Sequence, residues 1–170
     1  MKETSTNSLP ATEQVEAAVA RYSALLYRHS LVLLAHRQDA EDAVQETFLR
    51  YMRHAPSFRD AEHEKAWLLT VNTNLCKNIR RTRAMHPQED LDALPDVAQP
   101  AAEPTPLLDA LIRLPEKYKT VLLLHYAEGY KVREIAAMLR LTASAVKMRL
   151  QKGRQLLQQM QEEQEEENHE

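Results

Sequence analysis

Residues 86–106, HPQEDLDALPDVAQPAAEPTP, carry five prolines and no lysine or arginine. Each proline removes a backbone donor and fixes its own φ, so neither a helix nor a sheet ladder can run through such a stretch. Its acidic side chains add repulsion that opposes compact packing, and the segment reads as an extended, flexible linker. A chain of 170 residues is therefore cut into two blocks, each the size of a small domain. Within the blocks only two glycines occur, and no alternating β-branched run persists, so the expected fold class is all-α. The expected organisation is a flexible leader at 1–12, a helical domain at 13–85, the linker at 86–106, a second helical domain at 107–160 and an acidic tail at 161–170.

The net charge of -3 argues against a polyanion partner only when it is averaged over the chain. Residues 21–86 hold 11 Lys+Arg against 7 acids and residues 111–160 hold 10 against 3, whereas 87–110 and 161–170 hold none against 6 each. Two basic blocks separated by an acidic connector suit two modules that each meet a polyanion, with two soluble domains bearing solvated faces as the competing reading. The lone Cys76 rules out a disulfide framework within the chain. The opening MKETSTNSLP lacks the apolar core of a signal peptide, and no apolar run approaches membrane-spanning length; a cytoplasmic protein is expected. No HExxH, CxxC or glycine-rich phosphate loop appears, so no metal site, cofactor or enzymatic activity is expected.

In the first block, apolar residues from Val15 to Leu34 recur at helical spacing over about Glu13 to Leu34, with a possible break near His29-Ser30. Asp39 is the predicted N-cap of the next helix, which should run to about Ala55. On that helix Ala40, Ala43, Val44, Thr47, Phe48 and Tyr51 form the core face. Asp42, Gln45, Glu46, Leu49 and Arg53 point away, with Met52 nearby. Apolar residues rimmed by charge suit a protein partner, although isolated exposed leucines are ordinary and the residues alone favour a solvated face. Pro56 to Glu64 reads as a loop leading into a helix that begins at Lys65. Leu68, Val71, Leu75 and Ile79 form the apolar stripe of this helix. Thr70, Thr73, Asn74, Lys77, Arg80 and Arg81 lie away from it, with Lys65 and Trp67 near its start. Cations and amides suit phosphates and an aromatic suits base stacking, the combination single-stranded nucleic acid needs. For Trp67 by itself, burial is the leading reading.

The second block opens with a short helix over Leu107 to Leu114. Pro115 starts another, which Gly129 ends. Lys131 to Arg154 then reads as a helix-turn-helix. Val132, Ile135, Ala136 and Leu139 share one face of its first helix, and Arg140-Leu141-Thr142 breaks the pattern. In the second helix Val146, Leu150, Gly153 and Leu157 face inward, while Ser144, Ala145, Met148, Gln151 and Lys152 face outward, flanked by Lys147, Arg149 and Arg154. Such a pair can lay its second helix in a DNA major groove; a surface-charged helical hairpin is the competing reading. The tail QEEQEEENHE should fray by charge repulsion.

Three stretches together resemble the extracytoplasmic-function (ECF) sigma factors, the smallest class of the sigma-70 family of bacterial RNA polymerase subunits. They are YRHSLVLLAHRQDAEDAVQETFLRYMR, KAWLLTVNTNLCKNIRR, and LIRLPEKYKTVLLLHYAEGYKVREIAAMLRLTASAVKMRLQKGRQLL. The resemblance implies that Asp42, Gln45, Glu46, Leu49 and Arg53 face the clamp coiled coil of the largest subunit of core RNA polymerase. It also implies that Phe58, Lys65, Trp67, Asn74, Lys77, Arg80 and Arg81 handle the minus-ten element as duplex opens to single strand. Ser144, Ala145, Lys147, Met148 and Arg149 would meet the minus-thirty-five element, with Lys152 and Arg154 mainly on phosphates. A linker near the RNA exit path and an anti-sigma protein partner are further implications. A helix-turn-helix repressor or activator working without polymerase is the alternative function, and it leaves the first block without a purpose. The chain departs from the family at the turn, where Arg140 and Thr142 replace a usual Gly and Pro. It departs again at Met148, in place of a small polar residue, and at Gly153, in place of Ala. Gly153 should cost about 1 kcal/mol of helix propensity unless close packing requires it.

Overall fold

The computed structural model describes residues 12–86 and 105–169. Helix α1 spans Thr12–Leu34, α2 Arg37–His54 and α3 Ala61–Met85; α4 spans Pro106–Arg113, α5 Glu116–Leu122, α6 Val132–Leu139 and α7 Ala143–Glu167. A single π turn, Leu123–Ala127, extends α5. No strand occurs among the described residues, as the scarcity of glycine and the lack of period-two patterning require.

The first three helices pack on one another around Tyr22, Leu26, Tyr51, Leu68 and Leu69. Ala40, Ala43, Thr47, Phe48 and Tyr51 are buried on α2, which matches the core face read from the wheel. Several local expectations give way. Helix α1 is unbroken through His29 and Ser30, because both find partners inside the bundle: His29 Nε2 lies 2.9 Å from Thr73 Oγ1, and Ser30 Oγ donates to Asn72 Oδ1 at 2.9 Å. Burial pushes the His29 imidazole down to about pKa 4, so it sits neutral in this network. Asp39 is not the N-cap of α2. His36 takes that place, its Nδ1 accepting from the Asp39 amide at 3.2 Å, and the Asp39 carboxylate instead pairs with Arg83 across the bundle. Helix α3 starts at Ala61, four residues earlier than the loop reading allows, because Asp60 caps it by accepting from the His63 amide at 2.8 Å. Glu62 and Glu64 then occupy its first turn, where the helix dipole favours negative charge.

In the second block α6 and α7 pack together and α5 lies against α7. The turn between α6 and α7 has the geometry of a helix C-cap: Arg140 adopts φ 55°, ψ 45° and the Leu141 amide donates to Ala136 O at 2.9 Å. Arg140 thus stands in the left-handed region that glycine enters without cost. Thr142 caps α7 through a 3.1 Å bond from the Ala145 amide, which fixes the start of that helix at Ala143. Gly153 sits in close packing: a Cβ there would lie 2.9 Å from Leu122 Cδ1 and 3.3 Å from Tyr118 Cβ, so the Leu122 side chain would have to shift to admit one. The acidic tail continues α7 to Glu167. Gln and Glu are good helix formers, and Gln158 Nε2 donates to Glu162 at 2.9 Å.

The two blocks are in contact in this conformation. Leu123 of the π turn is buried with Leu33, Ala43 and Cys76 of the first block, and α3 meets α6. The linker reading, the variable separation it implied and its path near the RNA exit fall on residues 87–104, outside the described residues.

Candidate functional site

Three surfaces carry the residues singled out from sequence. On α2, Asp42, Gln45, Leu49 and Arg53 are exposed and Glu46 is half-buried. Leu49 is 41% and Met52 45% exposed, so the outward apolar pair is real. The charged neighbours are held in place along the helix: Gln38 Nε2 donates to Asp42 Oδ1 at 3.0 Å, and Arg50 Nε lies 3.4 Å from Glu46. A pair of apolar side chains inside a rim of carboxylates and cations can seat a complementary helix and fix its register by charge.

The second surface is α3 with the loop before it. Phe58, Tyr51 and Trp67 form an aromatic cluster, with Phe58 stacked on Tyr51 at 5.9 Å and Trp67 edge-on to both at 6.0 and 5.9 Å. Phe58 and Trp67 are half-buried, so neither is wholly core nor wholly open. Glu64 anchors the cluster from below. It accepts from the Tyr51 hydroxyl at 2.6 Å, and desolvation together with this carboxylate pushes Tyr51 up to about 12. Asn74, Lys77 and Arg81 are exposed farther along α3. Thr73, read from the wheel as lying away from the core, is buried against His29. The wheel measures angle from one stripe, but α3 is covered from two sides.

Lys65 and Arg80 are not free. Lys65 Nζ lies 3.4 Å from Glu128 Oε2 and above the Tyr130 ring. Arg80 donates to Leu33 O at 3.0 Å and approaches Glu116 at 3.6 Å. Asn74, Lys77 and Arg81 line a cleft of about 440 Å3 with Asn78, Met138, Leu139 and Arg140. The adjoining recess brings in Lys117 and Arg149. Arg140 and Lys117 were not among the sequence-derived site residues. Both lie in stretches singled out from the sequence, but only the packing of the second block on α3 brings them to this cleft and recess.

The third surface is the outward side of α7. Ser144, Lys147, Met148, Lys152 and Arg154 are exposed, Met148 at 70%, and Ala145 and Arg149 are half-buried. Val146, Leu150 and Gly153 are buried on the opposite side, so the inward face read from the sequence holds, on a helix that runs on to Glu167. Arg154 Nη1 donates to the Tyr126 hydroxyl at 2.9 Å, a partner that sequence spacing did not suggest.

Residues 18–85 match the family described as Sigma-70 region 2, and residues 105–157 match Sigma-70, region 4. The chain is 32% identical over 149 residues to the ECF RNA polymerase sigma factor SigL of Mycobacterium tuberculosis, an alignment covering 79% of this chain and 84% of that protein. The chain belongs to the ECF sigma factors of the sigma-70 family. It is 29% identical to SigW of Bacillus subtilis, with 80% and 82% covered. It is 31% identical to SigE of Mycolicibacterium smegmatis, where the alignment covers 82% of this chain but 58% of the longer relative. Among solved structures, the sigma factor RpoE from Bartonella quintana, in complex with the anti-sigma factor NepR, superposes with a TM-score of 0.74 at 24% identity, covering 89% of this chain and 98% of that one. CnrH, in complex with the cytosolic domain of CnrY, gives 0.64 at 22% identity with 90% of each covered. In this ECF sigma factor the α2 surface and α3 fall in region 2, and the helix-turn-helix falls in region 4. Among the described residues no helix is long and apolar enough to cross a membrane.

Proposed function

We propose that this sigma factor recruits core RNA polymerase to specific promoters and assists strand opening, acting by binding energy alone and not as an enzyme. Asp42, Gln45, Glu46, Leu49 and Arg53 dock on the clamp coiled coil of the largest subunit. Phe58, Lys65, Trp67, Asn74, Lys77, Arg80 and Arg81 receive the minus-ten element and its opened strand. Ser144, Ala145, Lys147, Met148 and Arg149 read the minus-thirty-five element, and Lys152 and Arg154 grip phosphates. Met148 offers a base edge only apolar contact, which suits a thymine methyl. The functional units are the blocks 13–85 and 107–160. The protein works in the cytoplasm, where polymerase and promoters are, without metal or cofactor. An anti-sigma protein partner is part of the proposal, since the sigma factor RpoE, which shares this fold, has been solved with the anti-sigma factor NepR.

The observation that carries this reading is the exposed Leu49 and Met52 within the charged rim of α2, a surface that a regulator acting on duplex DNA alone does not need. A pull-down of core polymerase with the wild-type chain and with Leu49→Ala/Glu46→Ala tests it. Retention by the wild type and loss by the variant are expected; equal retention refutes the assignment of this face.

A further inference from the structure

The space between α3 and the second block gathers more positive charge than the chain itself balances. Lys77 and Arg81 of α3 line the cleft of about 440 Å3 together with Arg140 of the α6–α7 turn, and Lys117 and Arg149 line the adjoining recess of about 200 Å3. Asn74, Lys77 and Leu139 border both spaces, so the two meet along these residues. None of the five cations forms an ion pair among the described residues. Glu116 is the one acid on either lining, and it is drawn to Arg80 at 3.6 Å. Cations gathered inside a Debye length repel, and an anion entering from outside relieves them.

Arg140 is the residue whose presence the fold does not explain. Its backbone stands at φ 55°, ψ 45°, where glycine goes freely and a side chain adds strain. Backbone bonds alone close the turn: the Arg140 amide donates to Ala136 O and Ala137 O, and the Leu141 amide donates to Ala136 O at 2.9 Å. The Arg140 side chain is exposed and makes no hydrogen bond or ion pair among the described residues. Glycine would make the same turn, so what arginine adds is a guanidinium on the lining of the cleft. Strain kept where the fold gains nothing from it points to a binding role.

The lining also selects the chemistry of the ligand. Arg81, Arg140 and Arg149 offer forked N–H donors that match phosphate oxygens, and Lys77 and Lys117 offer point charges. Asn74, Asn78 and Thr120 add neutral hydrogen-bonding groups. The cleft has the volume of a small-molecule site, while a lone phosphate is too compact to meet cations spread over both spaces.

We propose that the cleft and its recess form a site for a small polyphosphate anion, a chain of linked phosphates either free or carried by a nucleoside, held by cations of both blocks. The proposal does not depend on the promoter assignments. The test uses the full-length chain and isothermal titration calorimetry at constant ionic strength, with sodium tripolyphosphate, orthophosphate and adenosine triphosphate as probes. Tripolyphosphate should bind at least about tenfold more tightly than orthophosphate, since it reaches further charged donors. Arg140→Gly should weaken tripolyphosphate binding by about tenfold, the loss of one charge-assisted contact, while its thermal midpoint without ligand rises. A purely structural role for Arg140 would not separate binding from stability in this way. Lys77→Ala, on the other block, should weaken binding similarly. Arg28→Ala removes one exposed cation from α1 and should leave the affinity within about twofold, because the charge is remote and screened. Equal affinity for adenosine triphosphate and tripolyphosphate supports the phosphate chain as the whole ligand. Tighter binding of adenosine triphosphate supports a nucleoside-borne chain, with Met138 and Leu139 as its apolar seat. Equal losses in Arg140→Gly and Arg28→Ala would show attraction to net charge alone and overturn the site. Tripolyphosphate binding no tighter than orthophosphate binding overturns it as well, and Arg140-dependent binding of single-stranded DNA in that case would give these cations to the strand instead.

Discussion

The outward side of α2 and the charged side of α3 belong to one three-helix bundle, yet they are presented in opposite ways. On α2, Leu49 and Met52 are open and, among the described residues, Asp42 and Glu46 bond along their own helix. On α3, Lys65 and Arg80 are engaged by Glu128 and Glu116 from the second block. A partner that docks on α2 therefore meets a finished surface, whereas one that needs α3 must displace part of the protein itself. The difference suggests an order, with polymerase engaged before the promoter strand.

The largest effect expected from breaking this contrast is on α2. Leu49→Ala/Glu46→Ala removes the centre of the proposed docking face and one rim charge, and truncation of a binding hot spot costs about 2 kcal/mol or more, roughly thirtyfold in affinity. Polymerase binding measured by surface plasmon resonance should fall by that factor while helicity by circular dichroism stays unchanged. Next comes Arg149, which lines the recess beside the cleft as well as belonging to the helix-turn-helix. Arg149→Ala should weaken duplex promoter binding by about 1–3 kcal/mol if it holds a guanine bidentately. Competition assays separate the cases, since a loss that is equal on unrelated sequences marks a phosphate contact. A smaller gain is expected from Arg140→Gly, which releases a non-glycine residue from φ 55° and should stabilise the fold by about 1 kcal/mol, read by urea denaturation. It also removes one cation from the cleft.

The smallest expected effect is a pH response of the covered region. Lys119 is buried, with Nζ bonded to Ile112 O at 3.1 Å, and burial first, then the nearby Arg80, hold its ammonium down to about pKa 8. Between pH 8 and the usual lysine value the unfolded chain binds more protons than the folded one, so stability rises with pH in that window. Burial pushes the Cys76 thiol up to about 12, which opposes the rise once unfolded thiols ionise above about pH 9. Denaturation midpoints should therefore increase from pH 8 to 9 and level off beyond, and Lys119→Met should flatten the first limb.

The helix faces were legible because they depend on angle and hydropathy alone: the α2 core face, Val146-Leu150-Gly153 on α7 and the all-α class all follow from period. What escaped depends on residues far apart in sequence. Asp39 carries the composition of an N-cap, but Arg83, 44 positions later, draws its carboxylate into the bundle, and His36 supplies the cap instead. Thr73 looked outward because only one stripe of α3 was counted, whereas His29 covers it from α1. Gly153 looked like a cost until Leu122 and Tyr118 were seen against it. The outward side of α2, with its exposed Leu49 and Met52, could be picked from a wheel, but the pairing of Lys65 and Arg80 with acids of the other block could not, since nothing local in either segment names the other.

Transcription in vitro with core polymerase, with and without this chain, followed by mapping of RNA 5′ ends on bacterial genomic DNA, tests the central claim most directly. The account predicts new start sites that share one pair of upstream elements, appear only when the chain is added and vanish with Leu49→Ala/Glu46→Ala. Start sites identical to those of core polymerase alone, from a chain that still binds duplex DNA, would contradict it.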